Sequence, residues 1–470
     1  MLLSTLAVIP ALAVSTPPSH QGISLDRYEP ANYTELSIWS KIAAYRMASY
    51  LTDPVCRARE YSVRLQMTEE LSPSPIVQDL AARICLYVQS LQLGHEEDLD
   101  PEIIARFAEK CFLIAGCAGC AMISPFTSIP GMILRSLASN LETERFIHYL
   151  GSAPEKQLQN STLSFLLWNI CGIKGGYEIE EGGQMPMRDD LSFASQSRLA
   201  NIVKKLLEED ADILSLNEVF DINDAVYLVS ALQTRYAHFI IQCGSRTVGP
   251  NSGLFLASKF SIKGISFTPF PKEFLVGSAK YAEKGFLTVT VQDAKGPIFT
   301  TIHTHLQHSD QPSYPTQEEK LARKQALSMI FDRMFLDDLE NVVLAGDLNL
   351  DDEELASSHP ESYAKLQKTT SYDLPEDEET TTWLGDQWYV EHGNQENTFS
   401  FFSAGDRQRQ RKISKGLNLD HIAMKIHQNT SGPSIQSTHL KKTGYKPHEI
   451  SRASLSDHMI LISSIHVPRP

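Results

Sequence analysis

The sequence predicts an α/β chain with a mixed two-sheet core, preceded by a helical, membrane-associated region. Three observations carry this. The C-terminal two-thirds alternates apolar strand runs with amphipathic helical stretches, and several strands follow one another directly, which suits two sheets better than one parallel sheet. The N-terminal third holds two apolar runs, residues 2–14 and 111–134. The 470 residues are 42% hydrophobic and 21% charged, enough apolar material for a sizeable core and too much for a disordered chain.

The charge balance is 42 Lys+Arg against 57 Asp+Glu, net −15. A long nucleic-acid-tracking surface needs clustered cations, so nucleic acid is a poor partner for such a chain. A single phosphate in a pocket is compatible with it where a metal cancels local repulsion. The 7 cysteines are odd in number and irregularly spaced, which does not suit a disulfide framework. Cys117 and Cys120 form a C-x-x-C, but "IAGCAGCAMI" around them is apolar and offers no second pair, so a packed or lipid-facing helix is expected rather than a redox or zinc site.

In chain order, Leu2 to Val14 is short, interrupted by Pro10 and preceded by no cation; an inserted or peripheral anchor and a cleaved signal are both compatible with it. "LSIWSKIAAYRMASYL" and "SPSPIVQDLAARICLYVQSL" have helical spacing. Cys111 to Leu134 carries no charge, and about 20 apolar residues suffice to cross a bilayer. Pro125 and Pro130 disfavour a regular helix, so a kinked span or re-entrant wedge stands beside a straight helix, with a buried hairpin as the soluble alternative. Residues 1–151 thus read as a helical membrane-associated region, 152–162 as a polar linker and 163–470 as a catalytic domain.

Strands are expected at 163–170, 212–219, 253–258, 285–292, 298–306, 341–349, 419–425 and 459–467. An amphipathic helix is expected at 195–209, with Leu199, Ile202, Val203, Leu206 and Leu207 on one face. A second helix begins at Thr316, with Glu319 placed for a capping box. "DDEE" at 351–354, "EDEE" at 376–379 and the basic run "RQRQRKISK" at 407–415 read as exposed loops.

Polar side chains gather at strand ends: Asn169, Glu218, His303, His305, Asp347, Asn349, Asp420, Asp457 and His458. Singly these are turn formers or structural histidines. Together, on one rim, they suit metal-assisted hydrolysis of a phosphoester. A carboxylate such as Glu218 can hold Mg²⁺, and a His bonded to an Asp can take a proton from water near neutral pH. The chain lacks G-x-S-x-G and H-E-x-x-H, so serine and zinc hydrolysis fit less well.

"WNIC", "DILSLNEVFD", "NSGLFLASKF", "EKGFLTV", "HTHLQH", "LAGDLNLD", "LDHI" and "LSDH" occur in the order found in the endonuclease/exonuclease/phosphatase superfamily, which this chain resembles over about residues 162–468. "SGLFLASKF", the Lys-Gly of "EKGF" and "THLQ" resemble the neutral sphingomyelinase branch. The 112–149 stretch is similar, more loosely, to the membrane segment preceding its catalytic domain. The resemblance implies a four-layer αββα sandwich. It implies Glu218, Asn169 and Asp457 near Mg²⁺, and His458 as general base oriented by Asp420. His305 would stabilise the phosphate, Asp347 and Asn349 would position water and phosphate, and Lys284 would serve the sphingomyelinase branch. His303 receives no role and is expected to be structural. The implied reaction is in-line attack of water on sphingomyelin, yielding ceramide and phosphocholine at a membrane. Related substrates (lysophospholipids, phosphoinositides, nucleic acid) and a non-catalytic membrane scaffold are the alternatives.

Overall fold

A computed structural model describes residues 33–66, 75–90, 101–140, 145–159, 161–172, 198–244, 250–309, 315–335, 339, 341–350, 352–367, 372–373, 419–425, 433–441, 456, 458 and 460–468. The first apolar run, the 376–379 and 407–415 charge runs and Asp457 lie outside these residues.

Two sheets stack face to face. The first has eight strands in the order β1 (Ile147–Leu150), β4 (His238–Ile241), β5 (Phe255–Ser258), β3 (Ile213–Asn217), β2 (Thr162–Asn169), β14 (Ile460–His466), β13 (Ser434–Lys441), β11 (Tyr372–Asp373). The second has six: β10 (Leu366–Gln367), β12 (Asp420–Lys425), β9 (Val342–Asp347), β8 (Gly296–His305), β7 (Gly285–Asp293), β6 (Ser261–Pro269). Side chains alternate across each strand, and this fills three layers. Leu163, Phe165 and Leu167 of β2 meet Val289, Val291, Val343 and Met424 between the sheets. The opposite face of the first sheet, with Leu166, Trp168, Leu214 and Leu216, is covered by α4 (Arg198–Glu209) and α5 (Ile222–Leu232). The outer face of the second, with Ile302, Val342 and Leu344, is covered by α6 (Gln317–Phe335). The result is helix, sheet, sheet, helix, the layering the resemblance implies.

Local sequence explains these helices. On α4, Leu199, Ile202, Val203 and Leu206 are buried as their spacing requires. The capping box of α6 is formed: Thr316 N–H donates to Glu319 Oε2 (2.7 Å) and Glu319 N–H to Thr316 Oγ1 (3.2 Å). The 351–354 segment departs from the loop expectation. Asp352–Ser358 is a short helix, α7, and Glu354 on it pairs with the fully buried Arg323 of α6 at 3.4 Å. A buried guanidinium needs a carboxylate, and that demand recruits the acidic run.

The N-terminal helices are α1 (Tyr33–Gln66), α2 (Pro75–Ser90) and α3 (Pro101–Asn140). Of the alternatives left open at Pro125 and Pro130, the unbroken helix is the one observed: both lie inside one 40-residue helix. Each proline removes one backbone donor, while the remaining ladder persists around them and Ser124 Oγ donates to Cys120 O at 2.6 Å. α1 runs along α3 and supports it. Gly131 meets Ala48 O, Leu51 and Thr52; Gly116 meets the Tyr61 ring; Cys117 Sγ lies 3.4 Å from Ala58 O. The other face of α3 is open, with Phe107, Ile114, Met122, Phe126, Ile129 and Ile133 exposed. Among the described residues Pro101–Ser139 is long and apolar enough to cross a membrane, by length and composition.

This helical unit is packed onto the sandwich. Ile42 and Tyr45 of α1 and Ala138 of α3 join the core under α4 and α5. Ser49 Oγ donates to both oxygens of Asp221 (3.0 Å), the N-cap of α5, and Arg46 Nε donates to Asn223 Oδ1 (3.0 Å). Ile147–Leu150, placed by sequence in the helical region, instead forms edge strand β1 against β4.

Candidate active site

The site forms where strands of both sheets end together. β2 ends at Asn169 and β3 at Asn217, which are register partners; β8 ends at His305 and β9 at Asp347, also partners. β12 and β14 run antiparallel to their neighbours β9 and β2, so Asp420, opening β12, pairs with Asp347 and His458 arrives at the same rim. The first sheet therefore supplies Asn169, Glu218 and His458, and the second supplies Lys284, His305, Asp347, Asn349 and Asp420.

Glu218 follows β3 rather than ending it, in left-handed backbone at φ 65°. Gly253 makes this possible, since a Cβ there would lie 3.1 Å from Glu218 Cα and 2.6 Å from the Phe220 ring. Gly346 serves likewise beside Asp347: its Cβ would fall 2.1 Å from Thr304 O of the adjoining strand. Asn169 Nδ2 donates to Asp347 Oδ2 (2.9 Å) and Glu218 Oε1 (3.1 Å), drawing two carboxylates of opposite sheets together, while its Oδ1 accepts from Cys171 N–H. Asn349 lies past β9 at φ 52°, and its N–H donates to Asp347 Oδ1 (2.9 Å).

His458 Nδ1 lies 2.7 Å from Oδ2 of the fully buried Asp420. Its backbone is held by Trp168 Nε1–H donating to its carbonyl (3.1 Å) and by its N–H donating to Ser456 Oγ (3.1 Å), which itself donates to Asn169 O (2.6 Å). His458 Nε2 is left 3.7 Å from Asp347 Oδ2. Asp347, Asp420 and His458 are close enough to share an ion. Because Asp420 already engages His458 Nδ1 at hydrogen-bond distance, an Asp–His pair describes that trio better.

His305 Nε2 sits 3.6 Å from Asp347 Oδ2 and 3.9 Å from Glu218 Oε1. Burial first, then the charges of Lys284, His308, His458 and His303, hold its pKa well below the usual histidine range, so the ring is neutral. Lys284 Nζ donates to Leu306 O (2.6 Å). Burial lowers its pKa to about 8, against the opposing pull of Glu218 and Asp347. His303 is buried, with its pKa pushed down to about 3 by desolvation, and its Nε2 meets Asn217 Nδ2 at 3.2 Å.

The chemistry of the donor set fits a hard divalent cation and a phosphate. The buried Asp347 and half-buried Glu218 carboxylates converge, and three buried polar atoms beside them (both ring nitrogens of His305 and Nδ2 of Asn349) have no hydrogen-bond partner. The structure thus brings together every site residue named from sequence except Asp457, which is outside the described residues. Two further residues received no role from the sequence. Asn217 hides in the apolar strand "ILSLN" beside Glu218, and Gln307 follows the "THL" histidine and clamps Val276 through both its backbone N–H (2.9 Å) and C=O (3.2 Å). For Asn217 the only sequence signal is an amide next to a strand-end carboxylate, whereas Gln307 closes the "THLQ" run already singled out in the sequence.

Residues 166–458 match the Endonuclease/Exonuclease/phosphatase family, and the chain belongs to that family. It is 32% identical over 182 residues to sphingomyelin phosphodiesterase 5 of Danio rerio, a match covering 33% of this chain and 32% of the relative. The chain thus spans about a third of that relative's length. Similar solved structures include sphingomyelinase C from Streptomyces griseocarneus (19% identity, TM-score 0.45, 64% of this chain and 99% of that one). A Staphylococcus aureus beta toxin with bound magnesium ions is similar at 17% identity and TM-score 0.45, over 65% of this chain and 99% of its own.

Proposed function

We propose that this chain is a membrane-associated, Mg²⁺-dependent phosphodiesterase that hydrolyses sphingomyelin to ceramide and phosphocholine. The observation that carries the reaction type is the meeting of the His458–Asp420 pair with the Glu218 and Asp347 carboxylates across two sheets. The likeness to a sphingomyelin phosphodiesterase supports the choice of lipid.

Each side chain has a derived task. Asp420 accepts from His458 Nδ1–H and so leaves Nε2 free of a proton, aimed as the acceptor for the attacking water's proton. Asp347, 3.7 Å from that nitrogen, accepts the water's other hydrogen and orients it. Neutral His305 donates one N–H to a phosphoryl oxygen, and Asn349 Nδ2 offers another donor. Lys284 brings positive charge to the phosphate without entering water. Glu218, oriented by Asn169, would hold Mg²⁺, with Asp457 as the further carboxylate called from sequence. Bound there, the ion supplies neutralisation of the charge that develops on phosphoryl and leaving oxygens.

The exposed face of α3 is read as the lipid-contacting surface, with the helical region as membrane attachment and the sandwich as catalytic domain. Phosphocholine release from sphingomyelin in mixed micelles with Mg²⁺ tests the whole reading. Wild type is compared with His458→Ala and Glu218→Ala, with phosphatidylcholine, a phosphoinositide and DNA as rivals. The expected result is Mg²⁺-dependent sphingomyelin turnover that falls about 10²- to 10⁴-fold in His458→Ala and is lost in Glu218→Ala. Mutant-sensitive cleavage of a rival alone would keep the mechanism and overturn the lipid. Turnover of sphingomyelin that survives both substitutions would overturn the site.

A further inference from the structure

Asn217 performs none of the chemistry above, yet it is a fully buried side chain through which the two halves of the site touch. It closes β3 in the first sheet, one residue before Glu218. Its Oδ1 accepts the backbone N–H of Asp347 at 3.2 Å. Its Nδ2 donates to Thr304 O at 3.0 Å and lies 3.2 Å from His303 Nε2. All three partners belong to β8 and β9 of the second sheet. The neighbours fix the amide's orientation, because a backbone N–H can only donate and a backbone carbonyl can only accept. With Nδ2 the donor, His303 Nε2 accepts, and the imidazole proton sits on Nδ1.

The consequence concerns distance. Glu218 would hold the cation, and Asp347, on the other sheet, is the second carboxylate drawn up beside it, so the negative charge the cation meets depends on the separation of the two. Asn169 also bridges them, but through the carboxylate oxygens themselves, the atoms that face the centre. Asn217 stands behind the centre and grips Asp347 by its backbone, which a bound ligand does not displace.

We propose that Asn217 is a positioning residue: from the first sheet it sets where Asp347 of the second stands relative to Glu218, and so sets the affinity of the site for a divalent cation. This rests on the reading of the site as a cation and phosphate centre.

The test uses the full chain, with Mn²⁺ as a paramagnetic probe whose free concentration is read by electron paramagnetic resonance. Asn217→Ala and Asn217→Ser are compared with Ser463→Ala. That control removes a buried hydrogen bond of the same sheet (Thr438 Oγ1 to Ser463 Oγ, 2.8 Å). Thermal midpoints are measured alongside. The expected result is Mn²⁺ affinity weakened roughly 10- to 100-fold in the folded Asn217 variants and unchanged in Ser463→Ala. Imidazole nitrogen NMR of the metal-free protein should also read His303 as the Nδ1–H tautomer, assigned by its loss in His303→Phe. Asn217→Asp should move that proton to Nε2. Unchanged Mn²⁺ affinity in both Asn217 variants would overturn the proposal, and so would equal weakening in Ser463→Ala. A wild-type chain that binds no Mn²⁺ and cleaves no diester would overturn the site reading and this proposal together, even with the His303 tautomer as derived.

Discussion

At the residue scale the site balances function against stability, and Lys284 shows the balance most directly. Its ammonium is buried, with its pKa lowered to about 8 by desolvation. Below pH 8 it is protonated in folded and unfolded chain alike, and the fold carries the full cost of burying it. Between pH 8 and the unfolded value of 10.5 the unfolded chain binds more protons, so stability rises with pH. The span corresponds to on the order of 3 kcal/mol. Lys284→Met should therefore abolish this rise, read by urea unfolding between pH 7 and 10.5, while turnover falls about 10²- to 10³-fold for the lost charge. Unchanged turnover would remove Lys284 from the mechanism. His305 and His303 differ only in what surrounds them. Both are desolvated and neutral, but His303 is bonded to Asn217 whereas both nitrogens of His305 lack a hydrogen-bond partner beside two carboxylates. In the proposed reaction that difference gives His305 to the phosphate and leaves His303 a structural part.

At the element scale, local signals succeeded where they were self-contained. The Thr316/Glu319 capping box needs only three residues of context and is formed as read. Thr316→Ala should cost about 1 kcal/mol of stability without altering turnover, since α6 packs on the outer face of the second sheet, away from the rim. A chemical-denaturation series with an activity assay checks both; a turnover loss beyond the stability loss would show that α6 transmits strain through Arg323 to the 305–309 turn. Elsewhere the local reading failed for identifiable reasons. α5, behind its N-cap Asp221, reads "INDAVYLVSAL", an apolar run that periodicity alone does not separate from a strand. β4 has only four residues, all buried. At Pro125 and Pro130 the sequence left a kink, a wedge and an unbroken helix open, and α3 continues with α1 packed along it.

At the scale of the whole molecule, the helical unit is more than a tether laid beside the sandwich. Ile42, Tyr45 and Ala138 complete the core over α5, and Ser49 and Arg46 bond its first residues three to five positions after Glu218. Removing residues 1–141 should lower stability by roughly 2–5 kcal/mol for the apolar area uncovered. Sedimentation with vesicles should be lost, while cleavage of detergent-dispersed substrate persists. Vesicle binding that survives the truncation would place the lipid-contacting surface on the sandwich instead of on α3.

By itself the sequence determined the alternation of strands and helices, and it placed Asn169, Glu218, His305, Asp347, Asp420 and His458 at or beside strand ends. It also determined the family, because each of these depends on residues close along the chain. What it could not determine was the approach of groups far apart in sequence. That Asn169 bridges Glu218 and Asp347, that Asp420 meets His458 and that Asn217 holds Asp347 from the opposite sheet are contacts across 38 to 178 positions. Only the stacking of two sheets creates them. Backbone strain at Glu218 and glycine at 253 and 346 are likewise meaningful only once a neighbouring strand lies close enough to forbid a Cβ. Strand-end chemistry is local and was legible; the separation between the sheets is a packing distance, and packing distances are settled by the tertiary fold.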